Sequence, residues 1–234
     1  FRRVLFRSPH VASNPIARTR FLREARAQAA VEHDNIIPIY IVGEEVGVPF
    51  LAMPLLKGQT LAAALKQSAK PPLNEVMRIG REMAEGLAAA HELGLVHRDI
   101  KPANVWLEGN KRRVKILDFG LARAEIENEG TSESEGPATR DGTVVGTPAY
   151  MSPEQAVMTS LDIDTRSDIY SLGVLLYELL TGKTPFDTQE LLQAGLDEMR
   201  RTIREKEPAR PSTRLSALVE GDRKSTRLNS SHRT

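Results

Sequence analysis

The chain has 234 residues, 40% of them hydrophobic and 27% charged, with no cysteine and a formal net charge of +1. Lack of cysteine excludes disulfides and thiolate-held metals, and the longest clean apolar run, inside Ser171 to Leu180, is far too short to span a bilayer. No secretory signal pattern opens the sequence, so a cytoplasmic catalytic or binding domain is expected.

The two ends come first and last in the chain but are read together. "FRRVLFRS" (residues 1–8) and "DRKSTRLNSSHRT" (222–234) show neither helical nor strand periodicity. One codon choice for Phe1–Ser8, read as its reverse complement, translates as Asp-Arg-Lys-Ser-Thr-Arg-Leu, which is the run from Asp222 to Leu228. The ends therefore resemble one DNA sequencing-library adapter translated from opposite strands, and they are expected to lack structure. They hold seven of the 32 basic residues and one of the 31 acidic ones. Residues 9–221 carry 25 basic and 30 acidic residues, a net of −5, so the basic balance gives no argument for nucleic acid or membrane partners.

Between the ends, the spacing predicts alternating elements. Asn14 to His33 reads as an Ala- and Arg-rich helix with Asn14 as cap and Pro15 in its first turn. "IIPIYIVGEEVGVPFLAM" reads as two strands joined by a glycine-containing turn. Apolar residues at Val76, Ile79, Met83, Leu87 and Ala90 mark a long amphipathic helix closed by Gly94. The polar cluster "GLVHRDIKPANVWL" then lies between apolar flanks as a loop between buried segments, and "NVWLEGNKRRVKIL" reads as strand, turn and strand. Ala122 to Thr143 is rich in Glu, Ser, Thr and Gly and reads as a mobile surface loop. "TRSDIYSLGVLLYELLTG" reads as a buried helix ending at Gly182, and "TQELLQAGLDEMRRTIREKE" as one last amphipathic helix.

Four segments in order carry the chemistry: "HRDIKPAN" (His97 to Asn104), "KILDFGLAR" (Lys115 to Arg123), "GTPAYMSPEQA" (Gly146 to Ala156) and "DIYSLGVLLYELLTGKTPF" (Asp168 to Phe186). Together they resemble the bacterial, eukaryotic-like Ser/Thr protein kinases over residues 9–206. The resemblance implies an α+β, protein-kinase-like two-lobed fold, mostly the helical C-lobe with a partial N-lobe. Its divisions would be 1–8 tail, 9–53 partial N-lobe, 54–206 hinge and C-lobe, 207–221 C-terminal extension and 222–234 tail. It implies ATP and Mg2+ as cofactors and protein substrates as partners, with no nucleic acid and no membrane contact in this segment.

The resemblance also assigns roles residue by residue. Asp99 would accept the proton of the substrate hydroxyl, and Lys101 would sit beside the transferred phosphate. Asn104 and Asp118 would supply oxygens to magnesium. Thr147 would hold Asp99 and Lys101 in register, or else cap the turn before Pro148. Met53 falls at the gatekeeper position. The Pro54 carbonyl and the Leu56 backbone would meet adenine, and Trp106 would lie beneath it unless it is an ordinary core tryptophan. Arg98 would pair with a phosphate on the loop, with Thr139 and Thr143 as first acceptors, then Thr131, Ser132 and Ser134; its bland reading is a carboxylate pair. Asp168 would bond the catalytic-loop backbone or cap its helix. His97 reads as packing under Phe119, and His10, His33 and His91 as without special role.

Glu24 matches the helix glutamate that pairs with a strand lysine in this family. About 19–20 residues before it the sequence offers Val4 or Leu5, and no glycine-rich loop precedes it. The expectation is a fragment of a Ser/Thr kinase that is itself inactive. A pseudokinase scaffold is the alternative for the parent protein, with Asp99, Lys101, Asn104 and Asp118 arguing against it. A small-molecule phosphotransferase would share the His-x-Asp-x-x-x-x-Asn pattern but not "GTPAYMSPE".

Overall fold

A computed structural model describes residues 3–7, 14–68, 70–119, 148–157 and 163–216, with only the backbone described for 3–7. Two antiparallel sheets and a set of helices make up the described residues. β1 (Arg3–Arg7), β2 (Ile41–Glu45) and β3 (Val48–Pro54) form a sheet of order β1-β3-β2 beside α1 (Pro15–Ala29). Asn14 caps α1, its Oδ1 accepting from the N–H groups of Ile16 and Ala17, and Pro15 occupies the first turn where its missing N–H is harmless. Phe21, Ala25, Ile39 and Leu51 form a small core between α1 and the sheet.

The expected absence of structure at the N-terminus is not met. Arg3–Arg7 pairs along β3 from Arg3 opposite Pro54 to Arg7 opposite Phe50. The physical reason is the edge: without β1, β3 would present an open row of N–H and C=O groups, which any extended segment can satisfy through its backbone.

The larger part of the fold follows the connecting segment Leu55–Lys57. β4 (Gly58–Thr60) leads into α2 (Leu61–Gln67), whose first turn is capped by the Thr60 hydroxyl accepting from Ala63 N–H at 3.1 Å. α3 (Leu73–Glu92) buries the five apolar positions its spacing marked, and ends at Gly94 in the left-handed region, φ 72°. β5 (Val105–Glu108) and β6 (Arg113–Ile116) extend β4 into a second three-stranded sheet of order β4-β5-β6. α4 (Pro153–Val157) and α5 (Thr165–Thr181) follow; α5 ends at Gly182, φ 81°, with Asp164 as its N-cap. Burial of α3, α5 and the β5–β6 hairpin around Ile79, Met83, Ile116 and Leu175 builds the main core.

The single last helix of the sequence reading is two helices, α6 (Thr188–Gln193) and α7 (Leu196–Glu205). Gly195 separates them at φ 82°, a conformation that breaks the helix and that glycine alone adopts without strain. Residues 211–216 form a further short helix, from which Arg214 donates to the carbonyls of Thr184 and Pro185 at 3.0 and 3.4 Å.

β6 matters most for function because it delivers Asp118. Its outer edge is closed from two sides. The Asn35 carbonyl accepts from Ile116 N–H at 2.7 Å and the Asn35 side-chain amide donates to Val114 O at 3.1 Å, while Ile37 N–H donates to Ile116 O at 3.0 Å. From α3, the Glu82 carboxylate accepts Val114 N–H at 2.7 Å. Gly86 permits this approach, since a Cβ there would stand 2.8 Å from Ile116 Cδ1 and 3.2 Å from Asn35 Cβ.

Candidate functional site

The loop between α3 and β5 is built on one buried carboxylate. Asp168, fully buried near the start of α5, accepts the backbone N–H of His97 at 2.8 Å and of Arg98 at 2.7 Å. Its Oδ2 also accepts from His91 Nε2 at 2.7 Å. The helix-cap reading of Asp168 is thereby excluded, because Asp164 is the cap. His91, read from sequence as without role, is a partner of this carboxylate; its place on the last turn of α3 carried no signal of that pairing.

His97 is buried and packs on Phe119 with ring centroids 4.7 Å apart, as its sequence context implied. Asp99 N–H donates to His97 Nδ1 at 3.2 Å, so the ring hydrogen sits on Nε2, which donates to Leu117 O at 2.8 Å. One imidazole thus ties the loop to the segment that leads from β6 to Asp118.

Asp99 itself is half-exposed. Lys101 Nζ lies 2.6 Å from Asp99 Oδ2, and the Asn104 amide nitrogen donates to Asp99 O and Oδ2 at 2.8 and 2.9 Å. That pairing commits the nitrogen of Asn104 and leaves its side-chain oxygen for another partner. Leu117 N–H donates to Asn104 O at 2.9 Å, which brings Asn104 beside the residue preceding Asp118. Asp118 is exposed and left-handed, φ 52°. An amide oxygen and an exposed carboxylate brought to one loop edge form a hard-oxygen donor set that suits Mg2+. Clusters of three or more His, Cys, Asp or Glu with metal-binding geometry are absent among the described residues.

Met53 and Pro54 end β3 and Leu56 follows, all half-buried. Trp106 is half-buried too, between Val105 and Leu107, which are fully buried, so it is not a core tryptophan. Its indole N–H donates to Lys57 O at 3.2 Å. Gly58 makes room for it: a Cβ would stand 3.3 Å from Trp106 Nε1 and 2.0 Å from Leu107 O. Glu24 is half-buried on α1. Arg98 is exposed at its side chain, with its backbone left-handed at φ 67°. Thr139, Thr143 and Thr147, with Thr131, Ser132, Ser134 and the loop at 122–143, lie outside the described residues.

Two features escaped the sequence reading. Gln155, buried, donates through Nε2 to Arg98 O at 2.7 Å. Tyr150, also buried, donates its hydroxyl to Glu178 on α5. Burial, and then Glu178, holds the Tyr150 hydroxyl above its ordinary range, so it remains a donor; burial raises the Glu178 carboxyl, an effect Tyr150 partly offsets.

Comparison with known proteins follows the same lines. The family described as "Protein kinase domain" matches residues 8–227. Serine/threonine-protein kinase PknL of Mycobacterium tuberculosis is 39% identical over 203 residues, covering 87% of this chain and 46% of that protein. Serine/threonine-protein kinase pkn2 of Myxococcus xanthus is 42% identical over 170 residues, covering 72% of this chain and 20% of that protein. The chain thus spans less than half the length of these curated relatives. Among solved structures, the PknI kinase domain of Mycobacterium tuberculosis superimposes with a TM-score of 0.60 at 28% identity, covering 86% of this chain and 73% of that one.

Proposed function

The chain belongs to the bacterial, eukaryotic-like Ser/Thr protein kinase family, and from that premise we propose that its parent protein transfers the γ-phosphoryl group of ATP to serine and threonine hydroxyls of proteins. The observation that carries this reading is the Asp99–Lys101–Asn104 cluster, with Lys101 Nζ at 2.6 Å and Asn104 Nδ2 at 2.9 Å from the same carboxylate oxygen.

Asp99 accepts the hydrogen bond of the acceptor hydroxyl and takes its proton as that oxygen bonds to the γ-phosphorus, while the bond from this phosphorus to the bridging oxygen breaks and ADP leaves. Half-exposed and held by two donors, it keeps a lone pair for that proton. Lys101, a compact point charge two residues on, neutralises charge on the transferred group. Asn104 and Asp118 would hold Mg2+, which would supply positive charge to shield the phosphate oxygens. The wall made by Met53, Pro54, Leu56 and Trp106 receives the purine. Arg98 would pair with a phosphate on the segment bearing Thr139 and Thr143, and Thr147 would steady Asp99 and Lys101.

The 234 residues carry no lysine near position 4 or 5 and no glycine-rich run before Glu24, so this chain is expected to bind ATP weakly and not to turn over. Activity belongs to a form with those parts upstream. Peptide arrays with that form test the reading: phosphate is expected on Ser or Thr. Robust phosphotyrosine with no phosphoserine or phosphothreonine would sink it.

A further inference from the structure

We propose that Gln155 is a positioning residue for Asp99: its side-chain amide fixes the peptide between Arg98 and Asp99 and couples the fold of residues 148–157 to the aim of the carboxylate. The inference rests on reading Asp99 as the proton acceptor.

Arg98 is a non-glycine residue at φ 67°, a conformation with an intrinsic penalty that persists only where the surroundings determine it. Three contacts do so. Asp168 Oδ1 accepts the Arg98 N–H at 2.7 Å. His97 Nδ1 accepts the Asp99 N–H at 3.2 Å. The remaining group of that peptide, the Arg98 carbonyl, accepts from Gln155 Nε2 at 2.7 Å. The Arg98–Asp99 peptide is thereby held at both its N–H and its C=O, and its plane sets the direction in which Asp99 leaves the backbone. Two of these anchors sit within the loop and on α5. The third comes from α4, which follows directly on the 3₁₀ turn at Pro148–Tyr150.

A helix cap alone does not account for Gln155. Ser152 and Gln155 form a capping box, with Ser152 N–H donating to Gln155 Oε1 at 2.9 Å and Gln155 N–H to Ser152 Oγ at 3.4 Å. A glutamate serves equally in that box. What glutamate lacks is the donor that reaches Arg98 O. The cap uses the oxygen of the side chain, and the positioning role uses its nitrogen, so the two are separable by one isosteric change.

Hydrogen exchange on this 234-residue chain makes the separation. Gln155→Glu keeps the capping box and replaces the donor with an acceptor facing a carbonyl. Exchange at the Arg98 and Asp99 amides is expected to rise about 10-fold, with α3 amides unchanged. Ser152→Ala loses the cap hydroxyl but keeps the Arg98 bond, and both amides are expected to exchange at the wild-type rate. Wild-type exchange in Gln155→Glu, or equal acceleration in Ser152→Ala, overturns the proposal. If Gln155→Glu fails to fold, Gln155→Ala, which removes the nitrogen and the oxygen together, keeps the proposal open to refutation: wild-type exchange at the Arg98 and Asp99 amides in that variant overturns it. In the catalytically complete form, Gln155→Glu is expected to lower kcat about 10-fold at unchanged KM for ATP; unchanged kcat also overturns it. Absence of phosphoryl transfer by the wild-type form would refute the kinase reading instead, leaving the exchange result standing.

Discussion

Glu178 shows how one half-buried carboxylate sets a pH dependence. It accepts the hydroxyl of buried Tyr150, and burial holds its carboxyl above the usual carboxylate range. A group whose pKa is raised on folding contributes stability that is fully present below its unfolded pKa, about 4.3, and that is lost as pH rises through the folded value. Glu178→Gln keeps an acceptor for Tyr150 and carries no charge to bury. Its Tm relative to the parent is therefore expected to be higher at pH 7 than at about pH 4.5, and a constant difference across that range contradicts this account. At this scale identity and spacing singled out the candidate residues Asp99, Lys101, Asn104 and Asp118, which fall on one loop and just past β6. His91 and Gln155 were not legible. Their partners are a carboxylate 77 positions on and a carbonyl 57 positions back, and no local pattern reports such pairings.

Elements followed their sequence signals where period and punctuation agreed. α1 has Asn14 and Pro15 at its start, α3 has its apolar stripe and Gly94, and α5 has Gly182. The missed elements are short. β4 has three residues, too few for alternation to register, and α2 has seven, announced only by Thr60. The α6–α7 break at Gly195 was hidden because the apolar positions on both sides run on in helical spacing. β4 also yields a sharp test. Gly58 sits at φ 125°, and an added Cβ would meet the Leu107 carbonyl, a backbone atom of β5 that cannot step aside. Gly58→Ala is expected to destabilise the chain by about 3 kcal/mol, read by urea denaturation. A loss below about 0.5 kcal/mol would mean that the β4–β5 pairing is looser than described.

At the scale of the molecule, the described residues form two cores of unequal size, joined through the segment Leu55–Lys57. The smaller one depends on α1 and the β1-β3-β2 sheet, and its edge strand comes from residues that show neither helical nor strand periodicity. Backbone pairing is indifferent to side-chain identity, which is why the sequence reading failed there. The same indifference means β1 restores the sheet but not a lysine beside Glu24. Calorimetry on the 234-residue chain with Mg-ATP is accordingly expected to give a Kd weaker than about 100 µM, near the upper part of the ordinary enzyme range; low-micromolar affinity contradicts it.

The most direct test of the account is Asp99→Asn in the form that carries the upstream lysine and glycine-rich loop. The substitution keeps the shape of the side chain and the room for Lys101 and Asn104, and removes the proton acceptor. kcat is expected to fall ~100-fold or more, while the Kd for Mg-ATP stays within about threefold of the parent. Equal losses in turnover and nucleotide affinity, or turnover retained in Asp99→Asn, would contradict the assignment of Asp99 as the group that takes the substrate proton.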